Sequence, residues 1–130
     1  MGVAAQEIVP AEAYSAADLN YNVDGCRANN ESNDKSARPA IGSARTDLTG
    51  VDTLYLGYPI WWGDAAAIMR TYVESVGLAG KTVVPFCTSG GSGIGQSVST
   101  LQGLANGGSW QQGMRFDAGA SESEVARLIL

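Results

Sequence analysis

Two adjacent tryptophans form the first candidate site in this sequence. Trp61 and Trp62 follow Pro59 and precede Gly63. Indole rings offer flat, polarizable faces with an N–H at one edge, so a pair of them can stack on a planar ligand. Most aromatic side chains are packing residues, so the two rings can equally cover the end of a hydrophobic core. The residues alone leave both interpretations open.

A glycine-rich segment over residues 88–95 is the second candidate, and it reads Thr-Ser-Gly-Gly-Ser-Gly-Ile-Gly. Because glycine can adopt positive φ, backbone N–H groups in such a loop can turn inward toward an anion or a ring carbonyl at a helix N-terminus. The segment lacks lysine and matches neither a Walker A loop nor the Gly-x-Gly-x-x-Gly pattern. A flexible turn before a helix is the alternative interpretation.

Cysteine and histidine content limits the chemistry that side chains can perform. Cys26 and Cys87 are far apart and lack a Cys-x-x-Cys spacing, which indicates neither a disulfide framework nor a metal site. The chain has no histidine, which removes Ser-His and Cys-His nucleophilic catalysis. Nothing basic adjoins Cys87 in the sequence, so we interpret it as a buried structural thiol. Redox chemistry would therefore require a cofactor.

Composition describes an acidic, globular chain. The 130 residues are 45% hydrophobic and 16% charged, with a formal net charge of -5. We expect a single domain over residues 1–130, since this length supports one core. The eight basic residues are scattered, which argues against a nucleic-acid-binding surface. No apolar run approaches the roughly 18 residues of a membrane span, and no signal peptide is visible, so we expect a cytoplasmic protein.

Strands and helices alternate from residue 53 onward. Residues 53–58 are β-branched, aliphatic and aromatic, which predicts a buried strand that ends at Pro59. Asp64 is the predicted N-cap of the helix that follows. The later predictions are a helix over 65–76, a strand over 81–87, a helix over 96–104, an edge strand over 110–116 and a closing helix over 120–130. This alternation predicts a parallel sheet.

The sequence before residue 53 is less regular. It predicts a short strand over residues 6–9, a weak helical pattern over residues 24–31 and an extended segment over residues 38–41. Tyr14, Tyr58 and Tyr72 are interpreted as packing residues, although Tyr58 lies close enough to the expected crevice at the sheet edge to leave a role as a proton donor open. Because the tryptophan and glycine loops follow consecutive parallel strands, we expect both to border one crevice at the carboxyl edge of the sheet.

The segments Tyr-Pro-Ile-Trp-Trp-Gly at 58–63 and Pro-Phe-Cys-Thr-Ser-Gly-Gly-Ser-Gly-Ile-Gly at 85–95 closely resemble a branch of the bacterial flavodoxin-like proteins. Residues 7–12 and 37–41 extend the resemblance to nearly the whole chain. It implies an α/β fold with a flavodoxin-like parallel sheet and helices on both faces. In that family the two loops flank the isoalloxazine ring of FMN. The resemblance therefore implies that FMN is bound by Pro59, Ile60, Trp61, Trp62, Gly63, Thr88, Ser89, Gly90, Gly91, Ser92, Gly93 and Ile94.

The beginning of the sequence departs from the family. Flavodoxin-like proteins begin with a hydrophobic strand, a phosphate-binding loop and a helix, whereas this sequence opens with residues that resemble the second strand. We therefore expect an N-terminally truncated fold without the usual phosphate loop. In a sheet ordered 2-1-3-4-5 the missing strand is central, which would leave one edge of the strand over residues 53–58 unpaired. Residues 6–9 could fill this position within the chain, or the same segment of a second copy could fill it in a domain-swapped, two-fold homodimer, which we favour.

Two functions follow from the resemblance. The first is an FMN-binding electron-transfer or quinone-reductase-type oxidoreductase, with a redox partner protein or a quinone as its partner. The second is a flavodoxin-fold remnant that serves as an oligomeric interaction module without FMN. The sequence does not decide whether the protein is an enzyme.

Overall fold

The chain folds into an α/β structure around a mainly parallel sheet. The computed structural model describes residues 5–117 and 119–128. Its elements in chain order are β1 Val9–Pro10, α1 Arg27–Asn33, β2 Ile41–Ser43, β3 Thr53–Trp61, β4 Asp64–Ala65, α2 Ile68–Ser75, β5 Thr82–Thr88, α3 Gly95–Leu104, β6 Ser109–Trp110, β7 Met114–Phe116 and α4 Glu122–Ala126. The predicted α/β class is confirmed.

The strands β3 and β5 form the centre of the sheet. They pair in parallel from Thr53 opposite Thr82 to Pro59 opposite Thr88. The short strands β6 and β7 both pair in parallel with β5, and β4 pairs antiparallel with the end of β3. The main sheet thus has the order β4, β3, β5, β6. This arrangement brings the segments that follow β3 and β5 to the same edge.

Side chains of β5 alternate between two hydrophobic clusters. Val83 and Cys87 face the larger cluster, to which α2 and α3 contribute. Val84 and Phe86 belong to a smaller cluster on the other face, where Leu128 packs after the end of α4. A strand buried on both faces reads as a continuous apolar run, which explains why β5 was predictable from its sequence.

The strand β3 extends beyond its predicted end. It continues through Pro59 to Trp61, which lies opposite Asp64 in an antiparallel hairpin. Trp62 and Gly63 form the two-residue turn of this hairpin, with φ values of 52° and 82°. Positive φ at both central residues is the signature of a type I′ turn, whose twist matches that of the flanking strands.

This hairpin corrects the predicted start of the next helix. Asp64 is a strand residue in β4 and not a helix N-cap, and α2 begins only at Ile68, with Ala67 in the cap position. The predicted inner face of the helix is confirmed, because Ile68, Met69, Tyr72 and Val73 are all buried. In α3, Leu101 is fully buried, whereas Val98 and Leu104 are half-buried.

The C-terminal region differs from its prediction in detail. The edge strand predicted over residues 110–116 consists of the two short strands β6 and β7, which are separated by Gly113 with a φ of 78°. The closing helix predicted over residues 120–130 is the shorter α4, whose N-cap is Ser121. Residues 129–130 lie outside the described residues.

The N-terminal strand does not repair the edge of β3. The strand β1 pairs antiparallel with β2, so the less favoured alternative, in which residues 6–9 pair with β3 inside the chain, is wrong. Across residues 5–117 and 119–128, only β4 and β5 are assigned as strands beside β3. The expectations for residues 1–4 lie outside the described residues. The helical pattern predicted over residues 24–31 corresponds to α1, which begins three residues later.

The length and polarity of the described helices do not meet the requirements of a membrane span. Within the described part of the chain, each helix is too short or too polar to cross a lipid bilayer.

We predict that Gly113→Ala destabilises the fold more than Gly80→Ala. Both glycines have nearly the same positive φ, 78° and 77°, so both substitutions should lower the free energy of unfolding by about 1 to 2 kcal/mol. A methyl group at position 113 would also collide with the carbonyl oxygen of Pro85, whereas position 80 is open. We expect a further loss of about 1 to 3 kcal/mol for Gly113→Ala. Urea unfolding measures the difference, and equal losses would contradict it.

Candidate functional site

A cavity of about 660 Å³ opens at the carboxyl ends of β3 and β5. One wall is the end of β3 with its turn, the second is the loop after β5, and the third comes from α1 and the segment before it. We call this cavity the tryptophan crevice. Its lining residues are Leu19, Tyr21, Ala28, Asn29, Pro59, Ile60, Trp61, Trp62, Gly90, Gly91 and Ser92.

Both tryptophans of the first wall are held by neighbours from the N-terminal region. The Trp62 indole donates a hydrogen bond from Nε1 to Asn29 Oδ1 at 2.6 Å, and the Tyr21 ring meets it edge to face at 6.2 Å between centroids. Trp61 meets Tyr14 in the same manner at 5.5 Å. Trp62 is 64% exposed, so it does not cover the core. The interpretation of both rings as core cover is therefore wrong for Trp62.

Asn29 organises the third wall. Its side-chain amide donates to the backbone carbonyls of Tyr21 at 3.0 Å and Val23 at 3.3 Å, while its Oδ1 accepts from Trp62. Its backbone N–H donates to Cys26 Sγ at 3.4 Å, which caps α1. The side chain is buried, and a buried amide is stable only when its groups are hydrogen-bonded. Asn29 therefore shapes its own loop and orients the tryptophan.

A charged cluster behind Trp61 fixes the position of Tyr14. The Arg27 guanidinium lies 3.7 Å from the centroid of the Tyr14 ring and donates to Glu31 at 3.0 Å. Tyr14 Oη donates a hydrogen bond to Glu31 as well. Burial, followed by the hydrogen bond to Glu31, raises the pKa of Tyr14. Tyr14 is thus a neutral packing residue that supports Trp61.

The glycine loop has open space around its four glycines. Gly90, Gly91, Gly93 and Gly95 do not have positive φ, so the predicted inward turn through left-handed glycines is wrong. A Cβ atom added at any of the four would meet no atom within 4 Å among the described residues. The backbone N–H groups of Gly90, Gly91 and Ser92 have no hydrogen-bond acceptor among the described residues. The second wall therefore offers both room and free donors.

Arg115 anchors the beginning of this loop. From β7, its Nε donates to Ser89 Oγ and its Nη2 donates to the Ser89 carbonyl, both at 2.7 Å. Nη2 also contacts Asp117 at 2.6 Å. Ser89 Oγ in turn donates to the carbonyl of Ser92 at 2.5 Å. The residues that line the crevice are thereby tied to the sheet through Ser89.

Tyr58 anchors the end of the same loop. Its Oη lies 2.9 Å from Ser97 Oγ, and Ser97 uses its only proton to donate to the Ile94 carbonyl at 2.7 Å. Tyr58 is therefore the donor. Burial raises the pKa of Tyr58 to about 12, so the phenol stays protonated at neutral pH. Tyr58 joins β3 to the start of α3.

Cys87 lies in the larger hydrophobic cluster and is fully buried. Burial raises the pKa of its thiol, and the charge of Arg115 opposes this effect. The thiol is thus neutral and inaccessible, which agrees with its interpretation as a structural residue.

The structure brings together part of the predicted site. Of the twelve predicted residues, those that line the crevice are Pro59, Ile60, Trp61, Trp62, Gly90, Gly91 and Ser92, and those that do not are Gly63, Thr88, Ser89, Gly93 and Ile94. Sequence reasoning missed the third wall, formed by Leu19, Tyr21, Ala28 and Asn29. The helical pattern predicted over residues 24–31 indicated a helix in this region, but no sequence signal connected that helix to the crevice.

Metal binding by side chains has no candidate in the part of the chain that the structure describes. No group of three or more Cys, Asp or Glu residues there is arranged to hold an ion.

We predict that Arg115→Ala loosens the crevice wall, whereas Arg127→Ala, which removes an exposed charge at the C-cap of α4, does not. Loss of three hydrogen bonds from the guanidinium frees Ser89 and the residues after it. We expect the backbone order parameters of Gly90, Gly91 and Ser92 to fall toward about 0.6, the value of flexible backbone, in NMR relaxation experiments. Unchanged order parameters in Arg115→Ala would show that the loop holds its shape without this anchor.

Comparison with known proteins agrees with this architecture. A family model described as flavodoxin matches residues 2–129. A search of curated proteins found no match. The crystal structure of a proposed flavoprotein from Bacteroides uniformis is 42% identical, with a TM-score of 0.86, and the match covers 94% of this chain and 78% of that one.

A second crystal structure, of a proposed flavoprotein from Bacteroides eggerthii, is 39% identical with a TM-score of 0.80, and the match covers 92% of this chain and 74% of that one. The family model spans nearly the whole chain, and the resemblance found in the two loop segments is confirmed. The protein therefore belongs to the flavodoxin family.

Proposed function

We propose that the tryptophan crevice binds the isoalloxazine ring of FMN and that the protein is a flavodoxin-like electron carrier or quinone-reductase-type oxidoreductase. Membership of the flavodoxin family and the two similar structures of proposed flavoproteins support a flavin as the ligand. The observation that carries the proposal is the pairing of an aromatic wall with a glycine wall whose glycines have open space around them.

The lining of the crevice fits a flat, uncharged ring. No carboxylate, lysine or arginine is among its described lining residues. Trp61, Trp62 and Tyr21 offer ring faces and edges for stacking, and Leu19 and Ile60 add apolar surface. The free N–H groups of the glycine loop can donate to the polar edge of such a ring. The volume of about 660 Å³ lies in the range of small-molecule sites.

The chemistry at this site would come from the cofactor, because flavins supply hydride and single-electron transfer. The chain contributes binding and orientation through its tryptophan and glycine walls. Among the described lining residues, no carboxylate or ammonium can act as a strong general acid or base. A site that orients a redox group without such acids or bases suits electron transfer.

The mouth of the crevice offers a contact surface for a redox partner protein or a quinone. Leu19, Tyr21 and Trp62 expose 43%, 63% and 64% of their surfaces there. Large apolar side chains exposed together at the rim of a cavity are typical of interaction sites. Such a surface would bring an electron acceptor next to the bound ring.

We predict that replacing Trp61 and Trp62 together by Ala weakens FMN binding about tenfold or more. Aromatic stacking contributes about 0.5 to 1.5 kcal/mol per pair beyond area burial, and about 1.4 kcal/mol is a factor of ten. Flavin absorbance and the quenching of flavin fluorescence on binding measure the affinity, with Val125→Ala as the control because this exposed residue lies in α4. Riboflavin, which lacks the phosphate, isolates the contribution of the ring.

Two outcomes would contradict the proposal. Unchanged affinity in the double variant would mean that the indoles do not hold the ring. Failure of the unmodified protein to bind either FMN or riboflavin would favour the second function, an interaction module without FMN.

We further propose that the protein is a homodimer in which a second copy covers the edge of β3 and the neighbouring sheet face. Tyr55 of β3 and Phe86 of the neighbouring β5 are only half-buried on that face. Apolar surface beside a strand edge is a template for association. Light scattering coupled to size exclusion should give about twice the chain mass of 13.5 kDa. The chain mass itself over a wide concentration range would contradict the dimer.

A further inference from the structure

A second cavity, of about 410 Å³, lies between α2 and α3. We call it the α2–α3 cavity. It shares no lining residue with the tryptophan crevice, so an inference about it does not depend on flavin binding. Its lining residues are Lys35, Asp64, Arg70, Gln96, Thr100, Gly103 and Leu104.

Arg70 carries a buried positive charge without a carboxylate in contact. Its exposed fraction is 1%, and no ion pair joins it to any acidic residue that the structure describes. Its Nη1 donates to the backbone carbonyls of Asp34 at 3.0 Å and Ala37 at 3.3 Å, and Nη1 and Nη2 also donate to the Glu31 carbonyl at 3.5 and 3.4 Å. Its Nε is buried and has no acceptor among the described residues. A buried cation with an unused N–H group is costly, and an anion would stabilise it.

The other charged groups of the cavity are already partly paired. Asp64 is buried, and its carboxylate accepts from the backbone N–H of Ala65 at 2.8 Å and from Thr100 Oγ1 at 3.0 Å. Lys35 Nζ lies 3.7 Å from Asp64 Oδ2, and most of the lysine side chain is exposed. The cavity wall carries one formal positive charge, because it has two cationic side chains, Lys35 and Arg70, and one carboxylate, Asp64.

This balance selects the charge of a ligand. A monoanion neutralises the wall, whereas a dianion such as phosphate would bring a second negative charge close to the buried Asp64. Arginine binds carboxylates especially well, because its planar N–H groups match the two oxygens. Leu104 and Gly103 give the same cavity an apolar wall, and the exposed Gln96 adds an amide.

We propose that the α2–α3 cavity binds a small carboxylate with an apolar or aromatic body. The carboxylate lies near Arg70 and Lys35, and the body packs against Leu104. No flavin is needed for this site.

Benzoate titrated into the full chain tests the proposal. Binding should shift the ¹H–¹⁵N resonance of the Arg70 Nε–Hε group to saturation, and benzyl alcohol, which has the same body without the charge, should leave this resonance in place. We expect Lys35→Gln to weaken benzoate binding about threefold to fivefold, as for a partly exposed charge. Arg127→Gln, which removes a charge outside the cavity, should leave the affinity unchanged. Both residues are exposed, so neither variant should impair folding.

Three results would overturn the proposal. The Arg70 resonance could stay unmoved throughout the benzoate titration, or benzyl alcohol could move it equally well, which would show an apolar cavity. Tighter binding of inorganic phosphate than of benzoate would show that charge alone selects the ligand and that the apolar wall has no role.

Discussion

The parallel register of β3 against β5 is the constraint on which the site depends. With Pro59 opposite Thr88, both strands end their shared ladder at the same level, so the chain after each must run over the same edge. A slip by one residue would turn every side chain of β3 to the opposite face of the sheet. Tyr58 would then lose Ser97, and the glycine loop would lose the anchor at its end. The two walls of the tryptophan crevice are therefore consequences of strand pairing.

The central elements were predictable because their burial leaves a simple pattern. The strands β3 and β5 are apolar runs, and α2 repeats its apolar residues at helical spacing. The turn at Trp62 was not predictable, since asparagine, aspartate and glycine are the residues that favour positive φ in such hairpins. Asp64 followed a glycine and preceded a helical pattern, so local rules favoured a cap. Tertiary pairing with Trp61 placed it in a strand instead.

The third wall of the crevice could not be predicted because its order comes from contacts distant in sequence. Residues 22–35 are polar and lack a clear period. Their positions are set by Trp62, which binds Asn29, and by Arg70, which holds the carbonyls of Asp34 and Ala37. Side chains that bond to distant backbone groups follow no repeat in the sequence. The topology of parallel sheets predicted which edge of the sheet carries the crevice, but only the structure shows which residues form its third wall.

At the hairpin turn, the residue type that would best stabilise the backbone differs from the tryptophan that lines the crevice. A side chain at φ 52° costs about 1 to 2 kcal/mol relative to glycine, and Trp62 also leaves most of its indole in water. Glycine or asparagine at this position would relax the backbone and remove an exposed apolar surface. Selection of variants for thermal stability alone would therefore tend to discard this indole. Stabilised versions of the protein would keep the sheet intact and lose one indole from the wall of the crevice.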